Sequence, residues 1–418
     1  MNLELSANKI EGEVEIISSK SELHRMIILA CLKNSQTRIF YCGKECEDVI
    51  ATLSCMREIG VIIEEKDNSY TITPPTKFKT NVEINVKESG STLRFLLPVL
   101  SILGISCTIK TEGRLSDRPL YPLDKLLQEN GVTLKREGDT ITVSGKLRGK
   151  DYEIDGAVSS QFITGLLLAL VANKETRSVV VRGKFESKPY VNLTVDVMRK
   201  MGISVEVNEN VYTVNKKLTT DEYLEIKAGG DWSNSAFFAC MGAVGGKVKV
   251  NGVERDSKQG DKKILDLLCK MGAKITVCDD NFVVEKQELL ATCVDASDIP
   301  DLIPPIACVC ARAKGISRIY NATRLRLKES DRIKSIVSML NSVGVVAEVT
   351  QDGMIIYGNP NANLCGNVNG ANDHRIVMSC AILAIGGKIS VNGAQAVSKS
   401  YPQFFEEIKK LDYEIKEV

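Results

Sequence analysis

The apolar and polar residues of this chain form a sequence pattern that recurs at nearly constant spacing. In each copy an apolar, helix-like segment ends at a glycine, an alternating strand follows, and a polar turn leads into a second strand. Five copies are clear, centred on Gly60, Gly131, Gly202, Gly272 and Gly344. A worn sixth copy, EIKKLDYEIKEV, has Asp412 in the glycine position, so successive intervals are 71, 71, 70, 72 and 68 residues. The spacing predicts a sixfold repeat.

Upstream of each glycine the pattern continues with an apolar helix, a short middle strand and a second helix. The middle strands are Thr37–Phe40, Cys107–Lys110, Ser178–Val181, Lys247–Val250, Ile316–Ile319 and Lys388–Val391. Each unit therefore reads as strand, helix, strand, helix, strand, strand. Six units predict an α/β (α+β) chain of two similar domains with three units each, helices inside and sheets outside, which is an inside-out α/β barrel.

The start of the chain indicates how the six units are shared between the domains. Lys20 opens the first helix just after the first strands, so these strands are expected to belong with the last three units. We predict one discontinuous domain, 1–19 with 229–418, and one continuous domain, 20–228.

Polar and charged residues collect where the helices open. The first helices of the six units open near Lys20, Gly90, Gln161, Asp231, Asp301 and Asp373, and second helices open near Arg118, Ser187, Asp261, Arg332 and Lys399. Serine and aspartate there are ordinary helix caps. Cations are not, because the helix dipole disfavours them at an N-terminus unless an anion lies between. This pattern predicts a bound polyanion.

Composition narrows the classes of partner. Lys plus Arg total 54 against 53 for Asp plus Glu, so no overall field attracts nucleic acid or an anionic membrane. No run approaches the ~20 apolar residues of a membrane span, and no signal peptide is recognisable. Several of the thirteen cysteines lie within apolar stretches, as is typical of proteins in a reducing cytoplasm. The chain has only two histidines, and its cysteines and histidines do not have the spacing of a zinc site. We expect a cytoplasmic monomer without metal or organic cofactor.

Nine segments, in order and spacing, resemble the 5-enolpyruvylshikimate-3-phosphate synthases. They are Ser19-Lys20-Ser21-x-x-x-Arg25, Gly90-Ser91-x-x-Arg94, Asp117-Arg118-Pro119, Ser159-Ser160-Gln161, Ser187-Lys188-Pro189-Tyr190, Ile299-Pro300-Asp301, Lys328-Glu329-Ser330-Asp331-Arg332, Asn372-Asp373-His374-Arg375 and Lys399. The KESDR and NDHR segments are the most specific. The resemblance spans the chain.

That resemblance implies two substrate sites and an active site in the cleft between the domains. The site for phosphoenolpyruvate would comprise Lys20, Gly90, Arg118, Gln161, Arg332, Arg375 and Lys399. The site for shikimate 3-phosphate would comprise Lys20, Ser21, Arg25, Ser159, Ser160, Gln161, Ser187, Asp301 and Lys328. Guanidinium forks, ammonium groups and hydroxyls suit a phosphate and a carboxylate on small frames.

The implied reaction is addition followed by elimination. The 5-hydroxyl of shikimate 3-phosphate attacks C2 of phosphoenolpyruvate while C3 takes a proton, and the intermediate then loses phosphate. This needs a base, an acid and cations near the departing phosphate. By resemblance Asp301 is the base and Glu329 the acid, with Lys20 and Lys399 stabilising charge. A helix-start salt bridge is the competing interpretation of Glu329.

The chain departs from the family pattern at several positions. Ile17-Ser18 stands where Pro-Gly is usual, Glu88-Ser89 replaces Asn-Ala, Phe95 follows Arg94 in place of proline, and Arg324 replaces asparagine. These changes affect the expected shape of the phosphoenolpyruvate pocket and its sensitivity to the inhibitor glyphosate, and leave the reaction class unchanged.

Two alternatives remain at this point. UDP-N-acetylglucosamine enolpyruvyl transferase shares fold and chemistry but uses a loop cysteine, whereas the loop from Gly113 to Pro119 has none. A non-catalytic ring around a duplex would also suit a sixfold repeat. Such a ring should be basic, and the net charge here is +1.

Overall fold

The computed structural model describes residues 1–149, 151–173, 175–218 and 222–418. By internal contacts the chain divides into two compact units. One, which we call the discontinuous unit, is formed by Met1–Ile17 and Gly229–Val418, and the other, the continuous unit, by Ser18–Ala228.

The chain opens with two strands and then enters the continuous unit. The opening strands are β1 (Asn2–Ala7) and β2 (Ile10–Glu15). The helices described in the continuous unit are α1 (Lys20–Leu32), α2 (Glu47–Glu58), α3 (Gly90–Leu103), α4 (Leu123–Glu129), α5 (Ser160–Val171) and α6 (Lys188–Lys200). Its strands are β3 (Thr37–Phe40), β4 (Ile62–Lys66), β5 (Ser69–Thr73), β6 (Val82–Asn85), β7 (Cys107–Lys110), β8 (Val132–Glu137), β9 (Thr140–Gly145), β10 (Tyr152–Asp155), β11 (Arg177–Arg182), β12 (Ile203–Asn208), β13 (Val211–Leu218) and β14 (Leu224–Lys227).

The discontinuous unit repeats the same order of elements. Its helices are α7 (Trp232–Gly245), α8 (Ile264–Lys270), α9 (Ile303–Arg312), α10 (Arg332–Ser342), α11 (His374–Leu383) and α12 (Phe404–Lys409). Its remaining strands are β15 (Gly246–Asn251), β16 (Lys274–Val277), β17 (Asn281–Glu285), β18 (Cys293–Asp295), β19 (Gly315–Tyr320), β20 (Val346–Val349), β21 (Met354–Gly358), β22 (Cys365–Asn369), β23 (Gly387–Asn392) and β24 (Glu414–Glu417). The predicted middle strands lie within β3, β7, β11, β15, β19 and β23.

The described strands form six four-stranded sheets with one common order. In the second repeat the order is β6-β7-β9-β8. β6 and β7 run parallel because a helix connects them, and β9 runs antiparallel to both β7 and β8. The third and fifth repeats build the same sheet, each from its own four strands.

Three sheets are completed by strands from a distant part of the chain. The sheet of the first repeat takes β14 as its first strand, and that of the fourth repeat takes β2. In the sixth repeat β1 occupies the place of the last strand, between β23 and β24. The opening strands thus belong with the last three repeats.

The repeat glycines end helices in a left-handed backbone conformation. Gly60, Gly131, Gly202, Gly272 and Gly344 have φ of +102°, +91°, +80°, +108° and +91°. Asp412 in the worn sixth copy has φ of +60°. Glycine reaches this region without steric cost, and aspartate tolerates it better than most residues. The recurring glycine is therefore explained by how each helix turns into its strand.

Helices form the core of each unit and sheets cover it. Thirteen of the fourteen residues of α7 are buried, and α3 and α5 are buried almost as completely. A helix that is apolar all round must be surrounded by protein. Strands such as β10 instead alternate buried and exposed residues, as expected of a sheet with one face in water. The inside-out α/β prediction is confirmed.

An asparagine or aspartate closes the first strand in four of the repeats. The side chains of Asn85, Asp155, Asp295 and Asn369 each accept a hydrogen bond from the backbone N–H two residues on, at 2.8–2.9 Å. This local turn directs the chain toward the next helix opening. The exchanged strands β2 and β14 end instead in Glu15 and Lys227.

Candidate functional site

Lys20 is the first residue of α1, where the helix dipole alone would disfavour a cation. Ser19 caps the helix by accepting the backbone N–H of Glu22 at 3.4 Å. The Lys20 ammonium contacts the Asp48 carboxylate at 2.7 Å, and both side chains are mostly buried. Asp48 in the first turn of α2 thereby supplies the negative charge that this position requires.

Arg25 lies one turn further along α1 and is buried. Nε donates to the Thr194 hydroxyl at 2.8 Å and NH1 to the Ser21 carbonyl at 2.6 Å. NH2 donates to the Tyr190 carbonyl at 3.1 Å. Burial lowers the pKa of Arg25 to about 10. The guanidinium thus joins α1 to α6, and a substrate carboxylate would have to share or replace these acceptors.

Gly90 begins α3 at a point crowded by two guanidinium groups. A Cβ at Gly90 would lie 2.7 Å from NH1 of Arg118 and 2.8 Å from NH1 of Arg94. Ser89 caps the helix by accepting the N–H of Thr92 at 3.2 Å. Two planar cations beside a helix N-terminus that lacks a side chain form an anion-binding geometry.

The amide of Gln161 connects the openings of α3 and α5. Its Oε1 accepts a hydrogen bond from Arg94 NH1 at 2.7 Å, and its Nε2 donates to Ser91 Oγ at 2.9 Å. Ser159 caps α5 by accepting the N–H of Gln161 at 3.3 Å, and buried Ser160 is the first helical residue. The predicted residues Gly90, Arg118 and Gln161 are thereby brought together through Arg94.

Ser187 precedes α6 in an unusual conformation. Its φ of +54° is left-handed, and its side chain makes no helix-capping hydrogen bond. A non-glycine residue in this region costs free energy, and such strain concentrates at functional positions. The buried hydroxyl is therefore not used for the task that serine usually performs at a helix start.

Arg332 is the centre of the charged cluster in the discontinuous unit. It begins α10, and its side chain is 1% exposed. NH1 contacts Asp301 at 2.8 Å, NH2 contacts Glu329 at 2.7 Å, and Nε contacts Asp373 at 2.8 Å. These three carboxylates outweigh the effect of burial and raise the pKa of Arg332. The buried cation is fully compensated.

Asp301 lies just before α9 and is shared by three cations. Besides Arg332, it contacts Lys328 at 3.4 Å and NH2 of Arg375 at 3.2 Å. Burial alone would raise the pKa of Asp301, but Arg375, Lys328 and Arg332 together hold it well below its usual value. The carboxylate is ionised and can accept a hydrogen bond from a hydroxyl.

Lys328 has an unusually low affinity for its proton. Burial lowers its pKa to about 8, Asp301 partly offsets this, and Arg332 lowers the pKa further. A lysine whose pKa is close to neutral pH can gain or lose its charge within the pH range in which enzymes work.

The NDHR segment opens α11. Asp373 caps this helix by accepting the N–H of Arg375 at 3.0 Å and also binds Arg332. Lys399, at the end of the 3₁₀ turn Ala394–Lys399, donates to the Asn372 carbonyl at 2.8 Å. Lys399 is the last residue of a 3₁₀ turn, and Arg118 directly follows the 3₁₀ turn Gly113–Asp117. Both lie some residues before the second helix rather than opening it as predicted.

Three charged side chains in these clusters carry no predicted role. They are Asp48, Arg94 and Asp373. The repeat contains the signal for the first of them. Asp48 lies twelve residues before Gly60, as Arg332 does before Gly344, so it occupies the second-helix opening of the first repeat.

The described residues do not contain a group of three or more histidine, cysteine, aspartate or glutamate side chains suited to holding a metal ion. Within the same ranges, no helix is long and apolar enough to cross a membrane.

The fold is that of the enolpyruvyl transferases. The EPSP synthase of Acinetobacter baumannii superposes with a TM-score of 0.80 at 24% identity and full coverage of both chains. The enolpyruvyl transferase NikO of Streptomyces tendae superposes with a TM-score of 0.77 at 17% identity, covering 99% of this chain and 98% of that one. At these identities the likeness concerns the fold alone.

The chain belongs to the EPSP synthase family. The family's sequence model, described as EPSP synthase (3-phosphoshikimate 1-carboxyvinyltransferase), matches residues 6–408. The 3-phosphoshikimate 1-carboxyvinyltransferase of Clostridium kluyveri is 36% identical over 99% of this chain and 98% of its own. Those of Brachyspira hyodysenteriae and Methanocorpusculum labreanum are 34% and 35% identical, over 98% and 100% of this chain and 99% and 100% of their own.

Proposed function

We propose that this chain transfers the enolpyruvyl group of phosphoenolpyruvate to the 5-hydroxyl of shikimate 3-phosphate and releases phosphate. Membership of the family supports the reaction. The observation that carries the assignment of residues is the buried cluster in which Asp301 and Glu329 both contact Arg332. It combines two carboxylates, which proton transfer needs, with cations, which the departing phosphate needs.

In the addition step the 5-hydroxyl oxygen bonds to C2 of phosphoenolpyruvate. Asp301 accepts the hydroxyl proton, and Glu329 donates a proton to C3, which gives a tetrahedral intermediate. In the elimination step the Glu329 carboxylate takes a proton back from C3, the C2–C3 double bond reforms, and the bond from C2 to the phosphate oxygen breaks, while the proton held by Asp301 leaves with the phosphate. Lys20 and Lys399 stabilise charge on the leaving phosphate.

The low pKa of Asp301 bears on its role as a base. A carboxylate surrounded by Arg375, Lys328 and Arg332 holds a proton weakly and is a poor base in the free protein. Substrate anions that bind these cations would offset their charge and raise the pKa of Asp301. We propose that substrate binding itself makes Asp301 a better proton acceptor.

The anion site of phosphoenolpyruvate is proposed to include Lys20, Gly90, Arg118, Gln161, Arg332, Arg375 and Lys399. Support comes from the guanidinium groups beside the N-terminus of α3 and at the openings of α10 and α11. Shikimate 3-phosphate is proposed to bind Ser21, Arg25, Ser159, Ser160, Ser187 and Lys328, together with Lys20, Gln161 and Asp301. Hydroxyls at the openings of α5 and α6 suit its phosphate.

The proposed residues are divided between the two units, so we propose that the two substrates complete one site and bind cooperatively. Each substrate then supplies contacts that favour the other, and a coupling of about 1–3 kcal/mol is expected. Titration calorimetry of phosphoenolpyruvate, with and without shikimate 3-phosphate, measures it. Equal affinities in the two titrations would contradict the proposal.

The deciding experiment is phosphate release from phosphoenolpyruvate by the purified chain, with shikimate 3-phosphate or with UDP-N-acetylglucosamine as acceptor. We expect release with the first acceptor only, and the same rate after chelation, since we propose that no metal or organic cofactor takes part. Release with the nucleotide sugar alone would overturn the assignment of the acceptor. We also propose that the enzyme is a cytoplasmic monomer, which sedimentation and cell fractionation would test.

A further inference from the structure

The two helix openings of the fourth repeat carry Asp231 and Asp261, which have no role in the proposed reaction. Asp231 caps α7 by accepting the N–H of Asn234 at 2.8 Å. Asp261 lies in the 3₁₀ turn Gly260–Lys263, is 3% exposed, and accepts the Ser233 hydroxyl at 2.5 Å. A buried carboxylate needs such partners, because burying an uncompensated charge is costly. Its partner Ser233 also accepts a hydrogen bond from Arg375, which belongs to the charged cluster around Asp301.

Ser233 links Arg375 to Asp261 by two hydrogen bonds, and the groups involved decide which atom donates in each. Arg375 NH2 lies 2.9 Å from Ser233 Oγ. A guanidinium can only donate and an ionised carboxylate can only accept, so the single hydroxyl between them accepts from Arg375 and donates to Asp261. The carboxylate thereby sets the orientation of the hydroxyl that Arg375 meets.

Arg375 is also bound from the opposite side. Its NH1 donates to the Asp301 carbonyl at 3.0 Å, and its NH2 contacts the Asp301 carboxylate at 3.2 Å. Arg332 contacts the same carboxylate at 2.8 Å, so two guanidinium groups that repel each other share Asp301. Ser233, which donates to Asp261, is a second polar partner of the Arg375 NH2 group and lies closer to it than the Asp301 carboxylate does, at 2.9 Å.

We propose that Asp261 and Ser233 are positioning residues that orient Arg375 for binding phosphoenolpyruvate. The proposal rests on the role given to Arg375 above. A planar guanidinium recognises a carboxylate or phosphate through a fork of fixed direction, so a rotated Arg375 would bind the anion less well. The pair touches no substrate and acts through Arg375 alone.

The test compares four variants in steady-state phosphate release. Ser233→Ala removes the hydroxyl, Ser233→Thr keeps it, and Asp261→Asn keeps the shape but removes the charge. Ser235→Ala is the matched control, since Ser235 is a buried serine of α7 whose hydroxyl donates to the Asp231 carbonyl at 2.7 Å. We expect Ser233→Ala and Asp261→Asn to raise KM for phosphoenolpyruvate about tenfold, as for loss of a hydrogen bond to a charged group.

The same two variants should leave kcat and KM for shikimate 3-phosphate within about twofold of wild type. Ser233→Thr should restore the wild-type KM for phosphoenolpyruvate, and Ser235→Ala should not change it. In the double variant Ser233→Ala/Asp261→Asn the effect should equal that of Ser233→Ala, because both residues act along one path. An unchanged KM for phosphoenolpyruvate, or an equal rise in both KM values, would overturn the inference.

A second readout does not depend on the reaction. In protein with ¹⁵N-labelled arginine, the side-chain N–H signals of Arg375, assigned with Arg375→Lys, should be sharp in wild type and exchange-broadened in Ser233→Ala. Loss of this difference contradicts the positioning role. If the two proteins show this difference but wild-type protein does not release phosphate, the result would count against the proposed function and not against the positioning role.

Discussion

The two units contain the same fold but balance the charge of their functional residues in different ways. In the continuous unit the guanidinium groups of Arg118 and Arg94 lie beside Gly90 at a helix N-terminus, among serine hydroxyls and the Gln161 amide. In the discontinuous unit Arg332 and Arg375 are paired with carboxylates, chiefly Asp301. The first arrangement leaves its cations open to an incoming anion, and the second compensates them with carboxylates, to which we assign the proposed proton transfer.

This difference shows two ways in which one repeat balances charge at its helix openings. Every repeat places polar side chains at helix openings, where free N–H groups attract anions. Hydroxyls and amides leave that attraction available, whereas carboxylates neutralise it until a substrate anion competes. The residue type at the helix openings therefore decides whether an opening remains attractive to an anion or is already neutralised.

The largest effect is expected from removing the two carboxylates of the discontinuous unit that we propose transfer protons. Asp301→Asn and Glu329→Gln should lower kcat by about 10²–10⁴-fold, the usual loss for a general acid or base. Asp298→Asn, in the same loop as Asp301, is the matched control and should stay near wild type. Phosphate-release kinetics together with thermal melting measure this. Near-normal turnover of folded Asp301→Asn would exclude Asp301 from the mechanism.

The second effect concerns stability and separates the two units directly. Arg332→Leu leaves the carboxylates around it without their buried cation and should cost about 3–5 kcal/mol. Lys20→Met, which breaks a single pair with Asp48 whose side chains are 17% and 15% exposed, should cost less. Urea unfolding can be followed by the fluorescence of Trp232, the chain's single tryptophan, for the discontinuous unit, and by circular dichroism for both. Similar losses in the two variants would remove the contrast.

The third effect tests the space beside α3. An added methyl group in Gly90→Ala would meet Arg118 and Arg94 at 2.7 and 2.8 Å, so these guanidinium groups must move. The displaced atoms are the ends of flexible side chains, so the fold should tolerate the methyl group and the effect should fall on anion binding. We expect glyphosate, the longer molecule, to lose more affinity than phosphoenolpyruvate. The measurement is the inhibition constant of glyphosate and the KM of phosphoenolpyruvate in both proteins. An equal loss of affinity for the two ligands would contradict the steric explanation.

The smallest effect is a dependence on pH. Because the pKa of Lys328 is about 8, its charge disappears as pH rises through that value. If Lys328 binds shikimate 3-phosphate, kcat/KM for this substrate should fall severalfold between about pH 7 and pH 9 while kcat changes less. Lys328→Arg, which stays charged, should flatten the profile. A profile identical in both proteins would assign the titration to another group.

Sequence patterns alone predicted most of the fold and of the candidate residues. The six repeats, their middle strands and the inside-out arrangement follow from local periodicity, because each repeat has the same need for a buried helix and a half-exposed sheet. Family resemblance supplied the residue roles, and their assignment to particular substrates stays a prediction. Helix openings were located to within a few residues, except that Lys399 lies on a 3₁₀ turn and Arg118 directly after one.

The amino-acid sequence by itself thus determined the repeat, the turn at each glycine and the kind of residue at each helix opening, since these depend on neighbours in the chain. The position of Lys20 also indicated that the opening strands belong with the last three repeats. Only the tertiary structure decided which strands pair in the first, fourth and sixth sheets, because hydrogen-bonding edges separated by some two hundred residues or more have no local signal. The tertiary structure also decided that Asp48 forms an ion pair with Lys20 and that Ser233 links Asp261 to Arg375 by hydrogen bonds. Charge pairing depends on distances of a few ångströms, which only packing sets.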